Sequence, residues 1–248
     1  MKRFLIAVNI ILVLLLSFIC YREKYIGKLE QKLFPDNSLS YYQNRPAYKE
    51  QLTRYDVYSK KANIVMLGTS LTQDIDWNEL MNRGDIVNRA YGGDIFAVMA
   101  ARLPYVLAIQ PKICFIEGGI NDIDTDVPLA ESIHQLSIII DTLQQQSVIP
   151  VLTTITNVTN SAARQKTRNK KINQFNSELY KLAKSKGLSI IDNNPVLAPG
   201  GNLKEEFAKS DGLHYLPKTY QVWKAAVEQV LLKNGLEFFT AAYIINVG

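Results

Sequence analysis

The alternation of short apolar runs with longer amphipathic stretches most constrains how this chain can fold. The longer stretches have the length and apolar spacing of helices, whereas the short runs are rich in aliphatic residues and typical of buried strands. The runs lie at 62–67, 86–88, 112–117, 148–154 and 188–191, and the helical stretches at 76–83, 95–109, 128–146, 164–186 and 215–233. This order predicts βαβ units, and therefore an α/β fold with a parallel sheet that helices cover on both faces.

Composition excludes several classes of protein. A hydrophobic content of 47% supports a real core and argues against a disordered chain. Two cysteines cannot form a disulfide framework, and two cysteines with two histidines far apart do not resemble a zinc site. The net charge of +5 is modest, and its densest basic stretch, 164–186, is typical of a solvated helix face. We therefore expect no nucleic-acid partner and no metal.

The amino terminus has the pattern of a membrane or export segment. Lys2 and Arg3 precede an apolar run from Phe4 to Cys20. Such a run is typical of a signal anchor or of a cleaved signal peptide, and no A-x-A cleavage pattern follows it. Residues 1–20 are therefore predicted to form an N-terminal membrane segment, with the remainder of the chain outside the cytoplasm; a cleaved signal is the alternative.

Residues 21–61 form a polar, tyrosine-rich stretch that we interpret as a stalk packing partly on the main domain. The spacing of apolar residues predicts a helix that ends before Pro35. A loop is predicted over 36–45 and a second helix over 47–60. The tyrosines favour packing, with a sugar-binding surface as the alternative. The main domain is predicted over 62–235, and the apolar tail 236–248 has no assigned role.

Candidate chemistry lies directly after the predicted strands, where parallel sheets bind their ligands. Ser70 follows the first strand, at the position of a nucleophile or of a helix N-cap. Gly92-Gly93 follows the second strand, where glycines can present backbone N–H groups to a ligand or form a tight turn. A phosphate site is the weaker reading of these glycines, because no P-loop lysine follows them.

Two further groups complete the set of candidates. Asn121 follows the third strand, and its side chain could donate to an oxyanion or form an Asx turn. Asp211 precedes His214 by three residues, so the carboxylate could orient the imidazole toward Ser70. His134, the other histidine, lies within a predicted helix and is expected at the surface.

Together these residues resemble the SGNH, or GDSL-like, hydrolase family. Its four blocks appear in the family's order over about 62–235, as Gly68-Thr69-Ser70-Leu71, Gly92-Gly93-Asp94, Gly119-Ile120-Asn121-Asp122 and Asp211-Gly212-Leu213-His214. The resemblance implies a flavodoxin-like, three-layer α/β/α sandwich and ester hydrolysis without a metal or cofactor.

The resemblance also implies a role for each residue. Ser70 is the expected nucleophile, His214 the base and Asp211 its orienting acid, whereas Asp122 is expected to be structural. The oxyanion hole would consist of the Ser70 and Gly93 backbone N–H groups and the Asn121 side chain. The chain departs from the family pattern at two positions: Thr69 replaces the aspartate of the GDSL name, and Ala90 stands where many relatives have glycine.

The sequence thus predicts a serine esterase that cleaves carboxylic esters through a Ser-His-Asp triad. Its extracytoplasmic location suggests small-molecule esters, or acetyl esters of cell-surface glycans or lipids, as substrates. An O-acyltransferase of envelope glycans would use the same residues, and an anchored binding protein with an inert site is the reading from a different class.

Overall fold

A computed structural model describes residues 1–22 and 38–236 of the chain. In this part, five strands form one sheet: β1 Ile64–Leu67, β2 Ile86–Asn88, β3 Ile113–Ile116, β4 Ile149–Thr153 and β5 Ser189–Ile191. Every neighbouring pair is parallel, and the order is β2-β1-β3-β4-β5. This is the order of flavodoxin-like doubly wound sheets. The predicted α/β class and parallel sheet are confirmed.

Helices connect successive strands, as parallel pairing requires. Before the sheet lie α1 Lys2–Arg22, α2 Leu39–Asn44 and α3 Pro46–Val57. Within the sheet region lie α4 Ser70–Gln73, α5 Trp77–Met81, α6 Phe96–Ala101, α7 Leu103–Leu107, α8 Ile120–Asp124, α9 Leu129–Gln145, α10 Gln165–Lys186, α11 Asn194–Leu197 and α12 Thr219–Lys233. A 3₁₀ turn spans Glu205–Phe207.

The sheet separates two apolar cores because successive strand residues point to opposite faces. In β1, Val65 and Leu67 join the core that includes α9 and α10, whereas Ile64 and Met66 join the core that includes α5 and α12. All four side chains are at most 1% exposed. Both faces of the sheet are therefore covered, which explains why the strands read as continuous apolar runs.

Three predicted boundaries are wrong. The stretch 36–45 was expected to be a loop, but α2 forms within it because the Ser38 side chain accepts the Tyr41 N–H and caps the helix. The predicted helix 95–109 is divided into α6 and α7, since Pro104 cannot donate to the preceding turn. The last helix begins at Thr219 rather than Tyr215, because Tyr215 bridges to Ala208.

The amino-terminal run forms helix α1, whose apolar side chains are largely exposed. In the part of the chain that the structure describes, no helix combines the length and the apolar character needed to cross a membrane. The predicted membrane segment is therefore not supported. The helix predicted before Pro35 and nearly all of the tail 236–248 fall outside the described residues.

The tyrosine-rich stretch packs on the main domain where it is described. Tyr42, Tyr48 and Tyr55 are all at most 5% exposed, and the Tyr48 ring meets Tyr91 edge to face at 5.4 Å. The Arg45 guanidinium lies 4.7 Å from the centre of the Tyr42 ring. The described tyrosines of α2 and α3 thus favour the packing interpretation over an open sugar-binding surface.

A buried ion pair joins the loops at the carboxyl ends of β1 and β2. Arg102, between α6 and α7, donates from Nε to Asp94 Oδ2 at 2.8 Å, and both side chains are at most 1% exposed. The same guanidinium also donates to the carbonyls of Gly68 and Arg89. One side chain thus holds the ends of two strands and the loop that carries Gly93 in a fixed arrangement.

We predict that Arg102→Met lowers the free energy of unfolding by about 3–5 kcal/mol, because it leaves the Asp94 carboxylate buried and without its closest partner. The variant with both Arg102→Met and Asp94→Leu should lose less than the sum of the two single changes. Urea unfolding of the three variants and the wild type measures this coupling.

The loss should also depend on pH. Burial already raises the pKa of Asp94 to about 6, against the opposing effect of Arg102. Without Arg102 this pKa rises further, so the folded variant holds the proton more tightly than the unfolded chain does. That stabilisation is present at low pH and is lost as the pH rises, so the deficit should be smaller near pH 5 than near pH 8. A deficit that does not change with pH would contradict this account.

Candidate active site

Three sequence-predicted residues meet at the carboxyl end of the sheet. Ser70 Oγ lies 2.9 Å from His214 Nε2, and His214 Nδ1 lies 2.6 Å from Asp211 Oδ2. The hydroxyl, imidazole and carboxylate therefore form a continuous hydrogen-bonded chain, although 144 residues separate Ser70 from His214. This is the geometry in which an imidazole can take a proton from a hydroxyl.

The local fold presents Ser70 at the start of a helix. β1 ends at Leu67, and α4 begins at Ser70 after an extended Thr69. In the described part of the chain, the Ser70 backbone N–H donates to no other group, as is usual for the first residue of a helix. Both the side chain and the N–H are therefore available to a ligand.

The loop that carries His214 is fixed by the hydrogen bonds of its backbone groups. Asp211 Oδ1 accepts the N–H groups of Leu213 and His214, each at 2.9 Å. The Gly212 carbonyl accepts the Thr159 N–H at 2.9 Å, and the His214 carbonyl accepts the Lys209 N–H at 2.7 Å. The carboxylate thus holds the turn with one oxygen and the imidazole with the other.

The Asp211 carboxyl is held in its ionised form. Partial burial acts to raise its pKa, but the N–H groups of Leu213 and His214 and the imidazole outweigh it, so the pKa lies below the usual range. About half of this side chain is exposed, at 49%. Asp211 can therefore accept from His214 Nδ1 at neutral pH and stabilise an imidazolium.

The other predicted donors belong to the loop that approaches Ser70 or are hydrogen-bonded to that loop. Gly93 has a φ of +81°, a conformation that glycine adopts without strain, and its N–H donates to no group in the described part of the chain. Asn121 Nδ2 donates to the Asp94 carbonyl at 2.9 Å, which orients the amide and leaves its second N–H. A Cβ on the neighbouring Gly92 would lie 3.6 Å from Ser70 Cβ, so this loop passes directly over the nucleophile turn.

Two expectations for residues outside the triad agree with the structure. Asp122 is 1% exposed and accepts the Phe96 N–H at 3.4 Å, and burial raises its pKa to about 6. It therefore joins the loops after β2 and β3, as a structural residue would. His134 is exposed on α9 and lies on a different element from the triad.

Sequence reasoning missed Glu117, a buried carboxylate that is hydrogen-bonded to the turn that carries Ser70. It accepts the Thr69 N–H at 2.9 Å, as well as the Thr69 and Thr72 hydroxyls. The signal was present in the sequence, because a single acidic residue closes the otherwise apolar run that forms β3. Arg102 carries a similar signal, as a lone charge within the apolar stretch of α6 and α7.

Two solved structures with the same fold are a GDSL-like lipase and a lipase/acylhydrolase. A GDSL-like lipase from Bacteroides thetaiotaomicron has a TM-score of 0.66 at 16% identity, over 75% of this chain and 98% of that protein. A lipase/acylhydrolase from Enterococcus faecalis has a TM-score of 0.55 at 20% identity, over 70% of this chain and 96% of that protein. At these identities the likeness concerns the fold.

Curated relatives match this chain over part of their own length. They are N-acylneuraminate cytidylyltransferases of Streptococcus agalactiae serotypes III, Ia and V, 26% identical over 183 residues. The match covers 74% of this chain but 41% of each relative. The chain therefore spans about two-fifths of the length of these relatives.

The family model that matches the chain covers the whole candidate site. It describes the GDSL-like Lipase/Acylhydrolase family and matches residues 65–222, more than half of the sequence. Ser70, Gly93, Asn121, Asp211 and His214 all lie within this range. The chain belongs to the GDSL-like lipase/acylhydrolase family.

Proposed function

We propose that the protein is a serine esterase in which Ser70, His214 and Asp211 form the catalytic triad. The observation that carries the proposal is the hydrogen-bonded chain of 2.9 Å and 2.6 Å that joins the three side chains. Membership of an acylhydrolase family supports the same chemistry. No step in this scheme requires a metal or a cofactor.

In the first step Ser70 Oγ attacks the ester carbonyl carbon while His214 Nε2 takes the hydroxyl proton. Asp211 accepts from Nδ1, so it fixes the tautomer that leaves Nε2 free to act as a base. The carbonyl oxygen becomes an oxyanion, which the N–H groups of Ser70 and Gly93 and the Asn121 amide stabilise. His214 then gives its proton to the departing alcohol, and the acyl group stays on Ser70.

In the second step water takes the place of the alcohol. His214 removes a proton from the water, and the resulting hydroxide attacks the acyl-serine carbonyl in the same oxyanion hole. Collapse of that intermediate releases the carboxylic acid and returns the proton to Ser70. If a sugar hydroxyl enters instead of water, the same steps transfer the acyl group and the protein acts as an O-acyltransferase.

The proposed substrates are acetyl esters carried by glycans or lipids. The curated relatives are named for N-acylneuraminate, a sugar derivative, which supports the glycan side of this proposal. Hydrolysis of acetyl, butyryl and longer-chain esters, each with and without an acceptor sugar, separates short-chain from long-chain activity. Acylated sugar among the products would identify transfer.

We predict that Ser70→Ala and His214→Ala each remove nearly all ester hydrolysis, because one change removes the nucleophile and the other removes the base. Asp211→Asn should lower kcat by up to about 10⁴-fold through loss of the productive tautomer. Steady-state kinetics on an acetyl ester measure all three. The exposed His134→Ala is the matched control for His214→Ala and should hydrolyse the ester normally.

A chelator and a serine-directed phosphonate complete this test. The chelator should leave hydrolysis unchanged, whereas the phosphonate should abolish it by forming a covalent bond to Ser70. Wild-type turnover by Ser70→Ala, or activity that a chelator abolishes and zinc restores, would refute the serine mechanism.

The Asn121 amide gives a separate prediction. Asn121→Ala should lower kcat by about 10²–10³-fold, because removing one oxyanion donor has an effect of this size. KM should change little, since the donor acts on charge that develops in the transition state. Kinetics and thermal unfolding on the same preparation distinguish this role from a structural one. A large fall in Tm with little change in kcat would assign Asn121 to the loop structure alone.

We further propose that the catalytic domain acts outside the cytoplasm, with the basic and apolar residues 2–20 serving as an export signal. Protease added to cells with a permeable outer layer should degrade the domain. Deletion of residues 1–20 should retain the protein inside the cell. If the full-length protein is fully protected from the protease under these conditions, the proposed location is wrong.

A further inference from the structure

We propose that Glu117 is a positioning residue for the nucleophile, whose buried carboxylate fixes the turn that carries Ser70. In this role it provides, from the end of β3, the carboxylate that the GDSL motif has at the position of Thr69. The inference rests on the proposed serine mechanism and extends it to a residue outside the four family blocks.

Glu117 accepts hydrogen bonds from residues that precede and follow Ser70 in the sequence. On one side of Ser70, Glu117 accepts the Thr69 N–H at 2.9 Å and the Thr69 hydroxyl at 3.0 and 2.9 Å. On the other side, Glu117 Oε2 accepts the Thr72 hydroxyl at 2.9 Å. One carboxylate therefore fixes the residues before and after the nucleophile, in an interior where Thr69 and Thr72 are 0% exposed.

The partners of Glu117 suit an ionised carboxylate. A backbone N–H can only donate, and both hydroxyls lie within hydrogen-bond distance of the carboxylate oxygens and can donate to them. Burial raises the pKa of Glu117, whereas the bonds from Thr69 and Thr72 and the nearby His214 lower it. Glutamine at this position would remove the charge and replace one acceptor oxygen with an NH₂ group, so the three donors would have to share one oxygen that has two lone pairs.

Close packing makes this arrangement rigid. A Cβ added at Gly68 would lie 2.8 Å from Glu117 Oε2 and would also collide with the Thr72 side chain. The strand end, the glycine and the carboxylate thus leave the turn no room to shift. Since Ser70 Oγ must stay within 2.9 Å of His214 Nε2, a small displacement of the turn acts directly on the reacting atoms.

Charge repulsion explains why position 69 holds a threonine when Glu117, at the end of β3, supplies the carboxylate. An aspartate at position 69 would place a second negative charge against buried Glu117, and two carboxylates that share one site cannot both ionise without a large cost. A threonine at this position donates to Glu117 instead. Restoring the family's usual residue in this chain should therefore be harmful while Glu117 is present.

The first test is Glu117→Gln. We expect kcat for an acetyl ester to fall by about 10–100-fold with KM within about twofold, because the turn is displaced while the binding surface remains. Labelling of Ser70 by a fluorophosphonate should slow by a similar factor. Glu131→Gln makes the same chemical change at an exposed residue of α9 and should retain normal kinetics. Unchanged kcat and labelling in folded Glu117→Gln would overturn the proposal.

The second test exchanges the position of the carboxylate. Thr69→Asp should lower kcat on its own, and adding Glu117→Gln to it should raise kcat again, since the pair then holds a single buried charge. Losses that simply add would overturn the exchange. Thr72→Val removes one donor and keeps the shape of the side chain, so it should also lower kcat. This variant provides the test where Glu117→Gln does not fold. A wild-type kcat in Thr72→Val would also overturn the proposal.

A Ser70→Ala control separates the two hypotheses. If Ser70→Ala retains turnover, the serine mechanism itself is wrong, whatever the Glu117 variants do. If Ser70→Ala is inactive while Glu117→Gln is folded and fully active, the mechanism stands and the positioning role fails.

Discussion

The buried ion pair between Arg102 and Asp94 is the interaction on which the arrangement of the site depends. Arg102 binds the Asp94 carboxylate and the carbonyls at the ends of β1 and β2. The Asp94 carbonyl in turn holds Asn121, and Gly93 immediately precedes Asp94. One guanidinium therefore connects the segments that carry or hold the three predicted oxyanion donors. An arginine suits this task because its planar fork donates in several fixed directions.

The acidic residues around the site divide into two classes by burial. Asp94, Glu117 and Asp122 are buried at loop junctions, and burial raises the pKa of each. Asp211 is half exposed, and two backbone N–H groups and the imidazole keep its pKa below the usual range. The buried acids can hold the loops in place through their hydrogen bonds, but burial disfavours their ionised form. The half-exposed Asp211 can stay ionised at little cost, which suits the role of orienting acid that we propose for it.

The strands and the position of Ser70 could be predicted from the sequence, because apolar runs and strand-end residues are local signals. The role expected of His214 came from its spacing to Asp211 and from the family resemblance. The sequence did not predict the role of Glu117, since 48 residues separate Glu117 from Thr69. It also missed the role of Arg102, because the loops that Arg102 joins meet only in the folded chain. The break between α6 and α7 was missed because a proline in an apolar helical pattern was outweighed by the periodicity. Local sequence patterns thus identify candidate reactive residues, whereas the residues that hold them in place are identified from the tertiary structure.

The amino-terminal helices α2 and α3 belong physically to the site although they precede the range that matches the family. Arg45, between these helices, packs on Tyr42 and lies 3.7 Å from Asp94, at ion-pair distance. A Cβ at Gly93 would lie 3.4 Å from Arg45 Nη1, so the arginine closes one side of the loop that carries the predicted oxyanion donor. Because Asp94 then lies between Arg45 and Arg102, its buried charge is balanced from both sides. The described residues 38–57 of the stretch interpreted as a stalk are therefore better understood as one wall of the candidate site.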